Sequence, residues 1–357
     1  MQRPWVLELT KPSGAPATVV GGLTVPLRLS LDAQWAGASA VVLSEHTRDL
    51  GPLLRDTRLK IPVLEHAPEG ARRAAVPASL LVHRAAFKRL EERAEGVLEL
   101  PAEAPGEVPF AFEPIDVVDG AARARAECVL FRSLRKAQDG WTSRWLNRYI
   151  SLAISRWLVK TPLYPNQVSV GILLVGLAGA ALATRGDYWS LVTGAFLFQT
   201  QSVLDGCDGE MSRVTYRGSL LGEWLDTIGD DLTNYGFFAG AGLGLHRATG
   251  NSLYLVAALV TIAAGALASG LEYRYLLRIG SGDLLKYPLS AAGSADKPGL
   301  LSAIQPLFKR DTFVLLTLLA ALAGLLGPML VLFAAGALGI LVNVLAAERR
   351  MARERAA

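Results

Sequence analysis

Residues Leu204 to Asp231 read LDGCDGEMSRVTYRGSLLGEWLDTIGDD and lie between two strongly apolar runs. Five aspartates, Asp205, Asp208, Asp226, Asp230 and Asp231, fall in this stretch. An ionised side chain inside a membrane span costs at least about 2.5 kcal/mol on insertion, so several together need a compensating partner. Asp205 and Asp208 stand three apart, and Asp226 and Asp230 four apart, so on helices each pair shares one face. Two facing helices then converge four carboxylates on one point. Hard oxygen donors gathered in this way suit Mg²⁺ or Mn²⁺, whose charge cancels what lipid rejects. Gly206, Gly209 and Gly222 lack side chains on the same helices and let a backbone or a ligand come close. Two other readings are a water-exposed interfacial acid cluster and the ion site of a divalent-cation channel or transporter. Transport predicts acids at several depths, and the runs starting near Ser252, Thr312 and Pro328 carry almost none in their apolar cores.

The rest of the chain fits a membrane protein with a soluble front end. Its 357 residues are 51% hydrophobic and 19% charged, with a mean hydropathy of +0.32, too apolar for an ordinary soluble enzyme. The net charge of +4 does not mark a nucleic-acid binder, because the Lys and Arg flank apolar runs and are not interleaved with stacking aromatics. Cys128 and Cys207 cannot make a disulfide framework, and the N-terminus lacks the order of a signal peptide. A cytoplasmic start is the expectation. His46, His66, His83 and His246 form no metal-ligand spacing.

Over the first hundred residues, WVLEL (Trp5 to Leu9), AVVLS (Ala40 to Ser44), IPVLEH (Ile61 to His66) and SLLVH (Ser79 to His83) read as strands. Between the first two, Leu27, Leu31 and Trp35 recur at steps of four and Gly37 follows, predicting a helix with a left-handed end. Alternating strand and helix implies an α/β domain with a mostly parallel sheet. The proline-rich segment Pro101 to Pro114 reads as a linker. Trp145, Tyr149, Leu152 and Trp157 then alternate with Arg144, Arg148, Arg156 and Lys160. That pattern fits an amphipathic helix lying in the membrane interface, or a surface helix packed on the α/β domain. After Pro165, six runs start near Asn166, Tyr188, Gly218, Ser252, Thr312 and Pro328, which predicts six transmembrane helices. Most of the Arg and Lys between and after them fall on the side shared with the N-terminal domain, while Arg185 and Arg247 fall on the other. Both termini are therefore expected in the cytoplasm.

The order Asp205, two residues, Asp208-Gly209, two residues, Ser212-Arg213, eight residues, Gly222, three residues, Asp226, three residues, Asp230 resembles the signature of the CDP-alcohol phosphotransferases, D-x2-D-G-x2-A-R-x8-G-x3-D-x3-D. Ser212 replaces its Ala, a small-for-small exchange. Upstream, LRKAQDGWTSRWLNRYISLAISRWLVKTPLYPNQVSV is similar to the entry into the membrane domain of the di-myo-inositol phosphate phosphate synthases and their bacterial relatives, a branch with an N-terminal cytidylyltransferase-like domain.

This resemblance implies a CMP-releasing transfer of a phospho-alcohol from a CDP-alcohol donor to a polar acceptor hydroxyl, with an inositol-type donor or inositol phosphate acceptor as the first reading. Phosphatidyl transfer from CDP-diacylglycerol to a polar phosphoalcohol is the second reading. By carry-over, Asp205, Asp208, Asp226 and Asp230 hold two Mg²⁺ or Mn²⁺ ions, and Asp230 is the general base. Gly209, Ser212, Arg213 and Gly222 line the CDP pocket. Asn166 belongs near it or caps the first helix. Arg274, Lys309 and Arg310 are candidates for a phosphorylated acceptor, or simply obey the positive-inside rule. The resemblance also implies a homodimer paired through the membrane domain, for which GFFAGAGLGL and LFAAGALGILV offer small residues. The partners expected are the lipid bilayer and these substrates, with no nucleic acid; the location expected is the inner membrane. The implied layout is a nucleotidyltransferase-like α/β domain over residues 1–118, a linker and interfacial helix over 119–160, and an all-α six-helix membrane domain over 161–357. TKPSGAPATVVGG after the first strand lacks the glycine-rich triphosphate loop of an active nucleotidyltransferase, so the first domain is expected to keep the fold without the chemistry.

Overall fold

A computed structural model describes residues 4–288, apart from 16, 95, 104, 105, 107, 137 and 138, and residues 310–356. The chain divides into two compact units. The first comprises Met1–Gln138, Ser155–Pro162 and Glu210–Arg217; the second comprises Asp139–Ile154, Leu163–Gly209 and Gly218–Ala357.

The first unit opens with β1 (Trp5–Thr10), the hairpin β2 (Val19–Val20) and β3 (Leu23–Thr24), helix α1 (Val25–Trp35) and β4 (Ala40–Leu43). It continues through β5 (Val63–Leu64), β6 (Arg72–Pro77), β7 (Leu80–Leu81), β8 (Glu91–Ala94), β9 (Val97–Glu99), β10 (Ile115–Asp116) and α2 (Gly120–Arg132). The main sheet runs β5-β4-β1-β6-β9-β8. β1 pairs in parallel with both β4 and β6, and β8 pairs antiparallel with β9. A parallel sheet needs both faces covered, and Val6, Leu7 and Leu9 are completely buried. The expected α/β class and mostly parallel sheet are thus observed. β6 was not legible in the sequence: RRAAVP mixes two arginines with two alanines and carries little strand propensity. The predicted strand Ser79–His83 shrinks to β7, which leaves the main sheet and pairs with β10. Among its described residues, the predicted linker contains no helix or strand.

Helix α1 stops before Gly37, whose φ of +92° gives the left-handed ending that the sequence predicts. Leu27 and Leu31 are buried, but Trp35 is exposed. Its ring is covered by cations instead, with Arg84 and Lys88 lying 4.9 and 4.0 Å from its centroid.

Helix α3 (Arg148–Leu158) begins in the second unit after a π turn. It is followed by α4 (Pro165–Ala183), α5 (Tyr188–Leu204), α6 (Gly206–Thr215), α7 (Leu220–Thr249), α8 (Ser252–Ile279), α9 (Arg310–Leu322) and α10 (Leu326–Ala356). Helices therefore stand at all six predicted places. Three of them, α4, α8 and most of α10, are long and apolar enough to cross a membrane. Helix α5 has 17 residues, α7 carries the aspartates, and α9 has 13 described residues, about 20 Å at the helical rise. Trp145, Tyr149 and Trp157 are exposed around α3.

The core of the second unit centres on Phe198 and Phe237, stacked at 4.6 Å. Glycines set how closely its helices approach. A Cβ at Gly240 of α7 would meet the Ala180 carbonyl oxygen at 2.2 Å, and one at Gly244 would meet that of Ala183 at 2.1 Å. One at Gly242 would meet Ala258 at 2.4 Å. The small residues of GFFAGAGLGL are therefore used within the chain, against α4 and α8. Gly339 of α10, in LFAAGALGILV, faces open space.

Replacing Gly240 by Val should lower stability by roughly 1–3 kcal/mol, the usual range for overpacking. Gly339→Ala should cost nothing. Thermal unfolding of the two variants in detergent checks the contrast.

Candidate functional site

The four signature aspartates do meet. Asp205 caps the C-terminal end of α5, Asp208 sits in the first turn of α6, and Asp226 and Asp230 lie one turn apart on α7. With Ser169, Gln201 and Gly229 they line one small cavity of about 10 Å³, room for roughly one water or ion. Asp208 is buried, and its Oδ1 accepts the Gly209 N–H at 2.5 Å. Its Oδ2 accepts a short hydrogen bond from the Ser169 hydroxyl.

Arg310 crosses this cluster. Its Nη1 lies 3.3 Å from Asp205 Oδ2 and 2.9 Å from Asp230 Oδ1. Its Nη2 donates to Gln201 Oε1 at 2.7 Å, and its Nε to Asn234 Oδ1 at 3.4 Å. The first turn of α9 is held in turn by its neighbour Asp311, whose Oδ2 accepts the Ser143 N–H at 2.7 Å. A Cβ at Gly140 would meet that same carboxylate at 2.5 Å. One guanidinium does not balance four carboxylates, and the remaining negative charge favours a divalent cation. The donor set fits Mg²⁺ or Mn²⁺: hard carboxylate oxygens from three helices around a space of one ion's size. Among the described residues, no three acidic, His or Cys side chains are already drawn into a coordination shell.

Asn166 and Gly222 are also together. Asn166 Nδ2 donates to Ser219 Oγ at 3.5 Å, and a Cβ at Gly222 would meet Asn166 Oδ1 at 2.8 Å. Ser219 caps α7, its Oγ accepting the Gly222 N–H at 3.0 Å. Asn166 is not the cap of α4. Tyr164 holds that position, and its N–H donates to Gln167 Oε1 at 2.9 Å. Asp231 turns away from the cluster and accepts from the Tyr273 hydroxyl at 2.6 Å.

The acceptor candidates separate. Arg310 joins the carboxylates, whereas Arg274 pairs with Glu348 at 2.6 Å. Lys309 lies outside the described residues. Sequence reading missed Ser169, Gln201 and Asn234. Helical spacing carried the signal: Ser169 is three after Asn166, Gln201 four before Asp205, and Asn234 four after Asp230.

Ser212 and Arg213 lie further along α6, in the first unit. There Arg213 lines a cavity of about 430 Å³ with Arg28, Asp32, His83, Arg84 and Tyr216. Tyr216 has a left-handed φ of +55° and donates a short hydrogen bond to Asp32. Burial raises the Asp32 carboxyl to about 6, although the Tyr216 hydrogen bond and the charges of Arg28 and Arg84 pull it down. Burial, helped by the charge of Arg84, lowers His83 to about 4.

Comparison with known proteins bears on this arrangement. No family model matches the chain. The chain is 37% identical over 107 residues to a protein of Aquifex aeolicus, covering 30% of this chain and 24% of that one. It is 40% identical over 116 residues to a protein of Thermococcus kodakarensis, covering 32% and 26%. Both relatives are named bifunctional IPC transferase and DIPP synthase. The synthase resemblance read from the sequence is thereby borne out. The match spans about a quarter of the length of these curated relatives. Among solved structures, a crystal structure of the Mycobacterium tuberculosis phosphatidylinositol phosphate synthase with CDP-DAG bound aligns with a TM-score of 0.42 at 19% identity, covering 56% of this chain and 92% of that one.

The two titrations in the first unit have opposite signs. Asp32 binds its proton more tightly when folded, so its contribution is full below about pH 4 and lost as the pH rises to 6. Moving that carboxyl from 3.8 to about 6 is worth roughly 3 kcal/mol at most. His83 resists protonation when folded, so its contribution is full above about pH 6.5 and lost as the pH falls to 4. The contributions of these two groups nearly cancel across this window. In Asp32→Asn stability should rise with pH, and in His83→Asn it should fall. Urea unfolding followed by near-UV circular dichroism at pH 4.5 and 6.5 measures each slope.

Proposed function

We propose that the second unit is a membrane-embedded, metal-dependent CDP-alcohol phosphotransferase domain that releases CMP. The observation that carries this reading is the meeting of Asp205, Asp208, Asp226 and Asp230 around one ion-sized cavity, at the spacing of the phosphotransferase signature. Asp205, Asp208 and Asp226 hold the metal, and Asp230 takes the proton of the acceptor hydroxyl. When bound, Mg²⁺ or Mn²⁺ neutralises the pyrophosphate and the departing CMP. Asp230 begins paired with Arg310, so Arg310 orients the base. Asn166, Gly209 and Gly222 shape the nucleotide end. Gly222 has no side chain where Asn166 comes close, so the pocket keeps its depth. Ser212 and Arg213 belong to the same signature, but their immediate surroundings lie in the first unit.

The names of the relatives favour an inositol-type donor or acceptor, with the CDP-diacylglycerol reaction as the competing assignment. The apolar lengths of α4, α8 and α10 support insertion in the inner membrane, with α5, α7 and α9 completing six spans. The exposed Trp145, Tyr149 and Trp157 support α3 as an interfacial helix. The positive-inside distribution supports a cytoplasmic side for both termini. An exposed apolar surface on α10, including Leu338, Ile340 and Val342, is available to lipid or to a second copy in a homodimer.

Purified protein in detergent with Mn²⁺ should release CMP when offered CDP-inositol or CDP-diacylglycerol with inositol phosphate, glycerol phosphate or inositol. Asp230→Asn should lower the rate by at least about 10², as loss of a general base does. Chelation by EDTA should stop it. Folded wild type that yields no CMP from any pair would overturn the assignment.

A further inference from the structure

We propose that the cavity of the first unit binds a phosphomonoester, with its phosphate oxygens against the cationic side chains that line the walls. The inference rests on this unit alone and does not depend on the carboxylate site. The cavity measures about 430 Å³, within the range of small-molecule sites. Arg28, Arg84, Arg135, Lys136 and Arg213 line it, against the single described carboxylate Asp32. These cations come from separate parts of the chain: α1, the segment after β7, the end of α2 and α6. The positive-inside rule acts on loops beside spans and does not explain their convergence.

Arg28 is the most informative of them. It is only 2% exposed. Its Nη2 donates to the carbonyls of Val20 and Gly21 at 3.0 and 3.2 Å. Its Nε, also buried, has no hydrogen-bond partner among the described residues. A buried charged donor left unsatisfied is costly, and an oxyanion in the cavity is the chemistry that satisfies it. Asp32 does not fill this role: it accepts from the Tyr216 hydroxyl and makes no hydrogen bond with Arg28 Nε. Planar guanidinium groups match phosphate oxygens in pairs. Phe112 and Tyr216 also line the walls and add aromatic surface to the cavity. A nucleoside monophosphate and a polyol phosphate both present the required group.

The test is calorimetric titration of the full chain in detergent, with EDTA present and Asp226→Asn as the background, so that the carboxylate site is silenced. Orthophosphate, cytidine monophosphate and inositol 1-phosphate are the probes. Saturable one-to-one binding of at least one of them is expected, weakening as salt rises. Stronger binding of cytidine monophosphate would identify a nucleotide site, and stronger binding of inositol phosphate a polyol phosphate site. Equal binding of all three would identify a site that reads the phosphate alone. The double variant Arg84→Glu, Lys136→Glu changes two side chains that are not in the buried core and should weaken binding at least tenfold. Lys136→Gln alone should weaken it about threefold, which covers the case of a misfolded double variant. Absence of saturable binding to every probe, or affinity unchanged in both folded variants, would overturn the proposal.

Discussion

Arg310 between Asp205 and Asp230 is the interaction on which the proposed site of the second unit depends. Carboxylates cannot be gathered between apolar helices unless positive charge comes to them. Here the charge arrives from α9, more than seventy residues after the last signature aspartate, and it is anchored by the turn before α3 through Asp311 and Ser143. One guanidinium leaves the cluster strongly negative. The site is thus held together well enough to fold, with negative charge left for the divalent ion proposed above. Ser169 on Asp208, together with Gln201 and Asn234 on Arg310, supplies the directional hydrogen bonds that point charges alone do not provide.

The helix packing makes that geometry attainable. Gly240 and Gly244 bring α7 so close to α4 that a side chain at either would collide with the Ala180 or Ala183 carbonyl. Stacked Phe198 and Phe237 fill the space below. Close backbones hold the α7 aspartates against the end of α5 and the start of α6. The same use of small residues accounts for why GFFAGAGLGL is spent inside the chain, whereas Gly339 of α10 faces open space.

Local signals were readable and distant ones were not. The spacing of the four aspartates predicted a shared site because helical period is a local property, and the strand-helix alternation predicted the α/β class for the same reason. β6 escaped because its neighbour β1, and not its own RRAAVP composition, makes it a strand. Arg274 and Arg310 looked equivalent in the sequence, both being basic residues at helix ends. The fold parts them, one to Glu348 and the other to the carboxylates, through contacts that only tertiary structure supplies. The basic cavity of the first unit was illegible for a similar reason, since five separate segments line it.

The central claim is that the four aspartates form a divalent-cation site. Electron paramagnetic resonance of Mn²⁺ titrated into the metal-stripped full chain in detergent tests it most directly. The account predicts saturable loss of the free Mn²⁺ signal, abolished in Asp208→Asn and in Asp226→Asn while both variants remain folded. A free Mn²⁺ signal that rises linearly with added metal in folded wild type, or that is unchanged by both substitutions, would contradict it.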